Sequence, residues 1–386
     1  MTIKIFPALN GDSIMLEYAD NHYALIDGGY VDTCKNYLQP ELKAMAQNGK
    51  SLELVVVTHI DSDHISGVLR LFEESPKLIQ IDNVWHNAYR HVQSPVKVVD
   101  MEEDFIHHNI SKEVNADEFK KVSAKQGSTL AGHIQSNDFI WNAQFGGNAV
   151  MAGNSISIGD VMLHIISPTS SNIEQLRKFW VKELIKSGLL NKEHSNEFWD
   201  DAFDFSLAKD KPGFRFNTHN VGGTTDLENI KQQPYTPDTS ATNGSSISFV
   251  MEVEGKRLLM LGDAQAETIV EGLRNLYGAQ ESPIYFDAIK LAHHGSFNNN
   301  SPELISMIDS ANWIISTNGD TYNHPDIETL AHILTKGGDV FRKLYFNYSR
   351  TICKALNTKE LHDKYKFEII VPKEENEATL IVLKNE

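Results

Sequence analysis

The sequence predicts an α/β protein in which short apolar strands run into polar loops and then helices. Three stretches carry that reading. Leu52 to Thr58 is a β-branched apolar run that ends on a loop of His and Asp and continues into a helical pattern. Ser246 to Val253 and Arg257 to Leu261 flank the turn Glu254-Gly255-Lys256 and lead to a helix over Ala266 to Tyr277. Ala288 to Ala292 and Trp313 to Thr317 are further apolar strands, and each ends on polar residues. Polar groups at strand ends are where α/β proteins build their sites.

Taken in order, Ile3 to Leu9 reads as a strand and Gly11-Asp12-Ser13 as a turn. Ile14 to Tyr18 and Tyr23 to Ile26 form a hairpin pair closed by Asp27-Gly28-Gly29. The run Leu54, Val55, Val56, Val57 suits a strand covered on both faces. From His64 to Glu73, Ile65, Val68, Leu69 and Phe72 share one helical face. The middle, 87–240, has few clear strands. A helix is expected from Asn172 to Gly188, and Gln232 to Asn243 reads as a loop rich in Pro, Thr, Ser and Asn. This region is expected to be an insertion or cap over an active site, within a single domain spanning 1–386.

Composition sets the class. The chain has 386 residues, 41% hydrophobic and 23% charged, enough for a sizeable buried core. No apolar run approaches the length of a membrane span, and the N-terminus lacks the apolar stretch of a signal peptide. Two cysteines in unrelated contexts, Cys34 and Cys353, argue against a disulfide framework. The expectation is a cytoplasmic protein with no membrane partner. The net charge of −17 and the lack of a Lys/Arg run argue against strong non-specific nucleic-acid binding.

The chemistry concentrates in Thr58-His59-Ile60-Asp61-Ser62-Asp63-His64. In an extended loop His59, Asp61 and Asp63 point the same way, and His64, opening the helix, can turn in. Such a density of imidazole and carboxylate suits one or two divalent cations. The competing reading, a solvated turn with Asp63 as a helix cap, explains one Asp but not two His and two Asp. Asp263 ends an apolar strand behind Gly262, and His293-His294-Gly295-Ser296 ends the next. A lone Asp would be an N-cap and a lone His pair weak evidence; with the first loop they become specific.

The order H-x-D-x-D-H, then G-D-A, then H-H-G-S resembles the metallo-β-lactamase superfamily, whose usual loop is H-x-H-x-D-H. Asp61 stands where that family has its second His. This departure, with Asp27-Gly28-Gly29, Gly11-Asp12-Ser13 and Asn323-His324-Pro325, is similar to the cytoplasmic nuclease-like domain of ComEC-type competence proteins. The resemblance covers about 1–75 and 241–335, and leaves out the membrane domain of those proteins. It implies a four-layer αββα sandwich with a large central insertion and two metal positions, for Zn or Mn. His59 and Asp61 would serve the first, Asp63, His64 and His293 the second, and Asp263 would bridge. The family's further first-position His has no secure match; Asn243, Ser246, His86 and His133 are the candidates.

A divalent cation lowers the pKa of water it binds towards neutrality. Asp61 or Asp63 could orient that water. His294, Ser296 and His324 form the group expected to touch substrate or move a proton, against a plain structural role for His294 and a surface-loop role for His324. Asp27 is a candidate to hold a ligating His, or is simply a turn residue. His107, His108, His194 and His219 read as ordinary surface histidines. The implied activity is that of a phosphodiesterase or nuclease acting on an anionic phosphodiester or nucleic acid. A small nucleotide, a lactone or a thioester is the alternative substrate. A partner-dependent regulatory module on the same fold is the non-enzymatic alternative, and a protein partner or homo-oligomer stays open.

Overall fold

The computed structural model describes residues 1–19, 21–74, 78–92, 123–186, 226–278, 283–374 and 376–384. His107, His108, His194, His219 and the end of the helix expected to reach Gly188 lie outside these residues.

Two sheets face each other. The six-stranded sheet holds β1 (Thr2–Ile5), β2 (Ile14–Tyr18), β3 (His22–Ile26), β4 (Leu54–Val56), β5 (Val84–Trp85) and β16 (Thr379–Val382), in the order β16-β1-β2-β3-β4-β5. The eight-stranded sheet holds β6 (Ser155–Ile158), β7 (Val161–Ser167), β8 (Ser248–Val253), β9 (Lys256–Met260), β11 (Ala288–Lys290), β13 (Asn312–Ile315), β14 (Arg342–Phe346) and β15 (Phe367–Ile370). Its order is β15-β14-β13-β11-β9-β8-β7-β6. β10 (Ile284–Phe286) and β12 (Ile308–Ser310) form a small parallel pair.

Strand alternation explains the layers. Leu54 and Val56 enter the core between the sheets, whereas Val55 and Val57 pack outward beneath helices. Leu258 and Met260 likewise face inward, with Leu259 and Leu261 facing the opposite helices. One outer layer is built on the helices Gln39–Gln47, Ser62–Glu73, Ser123–Ser136 and Ser170–Lys186. The other is built on Ala266–Tyr277, Pro302–Met307 and Ile327–Leu334. The result is the αββα sandwich of the metallo-β-lactamase fold. Each central strand is buried on both faces, which is why it reads as a continuous apolar run.

The middle of the chain is more integrated than its sequence suggests. β7 pairs antiparallel with β8, so β6 and β7 extend the eight-stranded sheet. Their pattern is muted because β6 is an edge strand with alternate residues exposed. The Pro/Thr/Ser/Asn-rich loop closes on a short helix, Ala241–Gly244, capped by Ser240. Both cysteines are free and buried. Among the described residues, no helix is long and apolar enough to cross a membrane.

Helix Ser62–Glu73 is pressed close to the first sheet. A side chain at Gly67 would meet the Gly28 carbonyl oxygen at 1.9 Å, and one at Gly11 would meet that of Asp63 at 1.9 Å. Backbone bonds from Gly28 to the His64 carbonyl (2.9 Å) and from Gly67 to that of Gly29 (2.8 Å) fix the contact. The helix therefore starts directly above the ends of β1 to β4.

Candidate metal centre

Four imidazoles converge on one carboxylate oxygen. Asp263 Oδ2 lies 3.3 Å from His64 Nε2, 3.4 Å from His294 Nε2, 3.8 Å from His293 Nε2 and 3.9 Å from His59 Nε2. Each ring is turned by a partner on its other nitrogen. His64 Nδ1 meets Asp27 Oδ2 at 2.8 Å, and His294 Nδ1 meets the Ser316 carbonyl at 2.8 Å. His293 Nδ1 meets Asn299 Oδ1 at 2.8 Å, and His59 Nδ1 meets Thr58 Oγ1 at 3.1 Å. Asp27 also accepts from the Thr58 amide and hydroxyl, so one buried carboxylate orients two of the rings. With Nδ1 occupied, Nε2 is the nitrogen that faces Asp263 in every case.

The loop carboxylates stand at the rim of this group. Asp61 is the N-cap residue of helix Ser62–Glu73 but makes no side-chain cap bond. Its Oδ2 lies 3.6 Å from His59 Nε2 and accepts from Thr242 Oγ1 at 2.9 Å. Asp63 Oδ2 lies 3.6 Å from His294 Nε2 and accepts from Asn10 Nδ2 at 2.9 Å. Capping does not account for either side chain.

Two charged residues join that the sequence reading passed over. Asp12 belongs with His64, Asp263 and His294 to a buried set whose ligand atoms all lie within 4.8 Å of one another. Lys290, also buried, pairs with Asp12, donates to the Gly262 carbonyl at 3.0 Å and lies 3.7 Å from Asp263 Oδ1. The available signal was a lysine inside the apolar strand Ala288-Ile289-Lys290-Leu291, directly before the His pair. Asp12 was read as turn, and Asn299 was not singled out.

The electrostatics follow from burial and neighbours. Burial penalises charge on His64 and His294, but the carboxylates outweigh it and hold both rings well above the usual histidine range. For His64 these are Asp263, Asp27 and Asp63; for His294 they are Asp263 and Asp12. Against its own burial, Asp263 is held well below the carboxylate range by His64, His294 and His293. Lys290 is raised, because Asp12 and Asp263 overcome the cost of burying it.

The group fits a cation. Among the described residues, His59 Nε2, His64 Nε2, His294 Nε2 and Asp263 Oδ1 are buried without a well-formed hydrogen bond. Each such atom costs about 1–3 kcal/mol if nothing engages it. Imidazole nitrogen and carboxylate oxygen are a donor set for a divalent cation such as Zn²⁺.

The other candidates fall at different distances from this group. Asn243 Nδ2 lies 3.4 Å from His293 Nδ1, behind the ring, and Ser246 Oγ accepts from the Asp263 amide. His86 is buried after β5, with its ring parallel to Trp141 at 6.4 Å. His133 is influenced by Glu73, at the far end of helix Ser62–Glu73. Nine residues separate Glu73 from His64, roughly 13 Å of helix. His324 stands over His293 with ring centroids 5.3 Å apart, and half-exposed Tyr322 stacks on it at 6.0 Å. Burial holds His324 below the histidine range, with Asp326 opposing, so the neutral ring is favoured. Ser296 is buried, and its amide bonds back to the His293 carbonyl.

Residues 7–101 match the family model described as the metallo-beta-lactamase superfamily. That segment carries the His59–His64 loop, and with the sandwich it defines the class: a protein of the metallo-β-lactamase fold. Zn(2+)-bound PqqB from Methylobacterium extorquens is similar at 10% identity and a TM-score of 0.38, over 99% of this chain and 100% of that one. The metallo-beta-lactamase fold protein YhfI from Bacillus subtilis is similar at 8% identity and 0.34, over 98% of each chain. A variant of the CmlA beta-hydroxylase is similar at 9% identity and 0.38, over 98% of this chain and 54% of its own. No functionally curated protein matches the chain.

Proposed function

We propose that this protein is a metal-dependent hydrolase that cleaves a phosphodiester in a small anionic substrate, such as a linear or cyclic nucleotide. The observation that carries the metal-dependent part is the convergence of four Nε2 atoms on Asp263 Oδ2. His59, Asp61, Asp63, His64, Asp263, His293 and His294 are the residues that would hold the cations. When bound, the cations supply Lewis acidity that makes water nucleophilic near neutral pH and offsets charge building on the scissile group.

The chain's own residues do the rest. Thr242 and Asn10 hold the carboxylates of Asp61 and Asp63, which orient the attacking water. His324 faces Asp326 Oδ1 through Nδ1 at 3.3 Å, which places its proton there and its lone pair on Nε2. A neutral ring so arranged accepts a proton or a hydrogen bond from substrate or water. Oxygen donors from Asp61, Asp63 and Asp263 favour hard cations, so Mn²⁺ is expected to support activity at least as well as Zn²⁺.

The ComEC-like motif pattern favours phosphodiester chemistry, and charge favours a small substrate. The chain carries −17, and beside the loop of His324 the guanidinium of Arg350 is paired with Asp320 at 3.1 Å. A long polyanion would need several unpaired cations there.

The test is hydrolysis of bis-p-nitrophenyl phosphate, cyclic and linear dinucleotides, and single- and double-stranded DNA. Metal-stripped protein is resupplied with Mn²⁺, Mg²⁺ or Zn²⁺, with Asp63→Ala as control. Metal-restored cleavage of the small diesters that Asp63→Ala removes is the expected result. Cleavage of lactones or thioesters and of no phosphodiester would overturn the substrate class. Activity with Zn²⁺ and none with Mn²⁺ would overturn the metal preference.

A further inference from the structure

We propose that the adjacent histidines are divided between two cation positions. His293 completes an outer position with His59 and Asp61, and His294 completes an inner one with His64 and Asp63, Asp263 being common to both. The proposal rests on the reading that this centre holds divalent cations. It supplies the further first-position ligand for which the resemblance has no secure match.

The backbone is shaped for the division. His293 (φ 43°) and His294 (φ 56°) both take left-handed conformations, followed by Gly295 at φ 89°. Two successive non-glycine residues in that region are costly and persist only where the surroundings impose them. The consequence is that the neighbouring rings splay, with centroids 5.6 Å apart and planes at 65°. Both Nε2 atoms still reach Asp263 Oδ2, each from its own direction.

The surroundings assign the sides. His294 shares the tight buried set with His64, Asp263 and Asp12, and His293 is not a member of it. His294 Nε2 also lies 3.6 Å from Asp63, as His59 Nε2 does from Asp61. Helix Ala241–Gly244 touches the opposite side through consecutive residues: Thr242 donates to Asp61, and Asn243 abuts His293. His293 and Asp61 therefore flank one short helix and share a side.

His293 is held for this task by a relay of its own. Asn299 Oδ1 takes the Nδ1 proton, and Asn299 Nδ2 is anchored on Asp238 Oδ2 at 2.8 Å and on the Asp263 carbonyl at 3.1 Å. Asp238 Oδ2 also accepts from the side-chain Nδ2 of Asn243 at 2.8 Å. The two positions differ in access. The difference lies in the His pair, with the His293 side chain 18% exposed against 1% for His294, while His59 and His64 are both 0% exposed and the rim carboxylates Asp61 and Asp63 are 28% and 15% exposed.

The decisive experiment counts tightly held Mn²⁺ or Zn²⁺ per chain by elemental analysis after dialysis. It compares the full-length protein with the variants His59→Ala/His293→Ala and His59→Ala/His294→Ala. The first pair strips one position and leaves the inner one whole, so one cation is expected. The second damages both positions, so none is expected. The reverse pattern would place His293 in the inner position and overturn the proposal, as would a single cation in the unmodified protein. Where an alanine variant does not melt cooperatively, the Gln substitutions at the same positions keep the side-chain bulk and are read the same way. Metal content needs no substrate, so failure to cleave phosphodiesters would sink the substrate assignment and leave this result standing.

Discussion

Two clusters of buried charge among the described residues are built to opposite standards. Arg342 and Asp309, 1% and 2% exposed, form a fork of Nε to Oδ1 at 3.0 Å and Nη2 to Oδ2 at 2.6 Å. The remaining guanidinium hydrogens reach the carbonyls of Lys336, Gly337 and Val340 at 3.3–3.5 Å. That pair is complete. Around Asp263, comparable burial leaves three imidazole nitrogens and a carboxylate oxygen without a well-formed bond. Burial of charge alone does not mark a site; burial left unfinished, with donors aimed at one point, does.

Substitutions can break that contrast. The largest effect is expected at Asp263. Asp263→Asn keeps the shape but removes the shared charge, and loss of cation stabilisation worth several kcal/mol lowers turnover by about 10³-fold or more. The same variant should also melt lower in chelator, because Asp263 is the foremost of the charges that hold buried His64 and His294 protonated in the fold. An unchanged metal content would show that Asp263 serves the fold alone. Next is Arg342→Met, which leaves Asp309 buried and unpaired and should cost about 3–5 kcal/mol in denaturant unfolding. Metal content per folded chain should not change, and Arg342→Met with Asp309→Leu should recover most of the loss. Smallest is Asp27→Asn, which loosens His64 without removing a ligand. Cation affinity measured by calorimetry should fall about 10–100-fold. An unchanged affinity would make Asp27 a turn residue and nothing more.

Much of this contrast could be read along the chain, and some of it could not. The helix Ala266–Tyr277 has the bounds its pattern predicts, because an apolar face begins after a polar strand end and Gly278 stops it. The His59–His64 loop, Asp263 and the His pair were legible because strands run into them and no packing role uses so many ligands. Asp12 and Lys290 were not. Asp12 looks ordinary locally and Lys290 is marked only as a lysine inside an apolar strand, and they become a buried pair only when β11 lies against the turn after β1. β6 was missed because an edge strand half in solvent lacks the apolar run of a central strand, and β7 because its apolar run, broken by His164, stands alone in a long stretch of few clear strands.

The sequence by itself marked the strands that end on the candidate metal centre and most of its residues. The identities of His, Asp and apolar strand residues are local, and the spacing of ligands in a single loop is set by the backbone that carries them. Only the tertiary structure decided which nitrogen of each ring faces Asp263 and which carboxylate orients it. It also splayed the rings of His293 and His294, with centroids 5.6 Å apart and planes at 65°. Those choices depend on partners far along the chain: Asp27 turns His64, Asn299 turns His293 and Ser316 turns His294. Ring orientation is a property of the folded surroundings, and the sequence lists the partners without bringing them together.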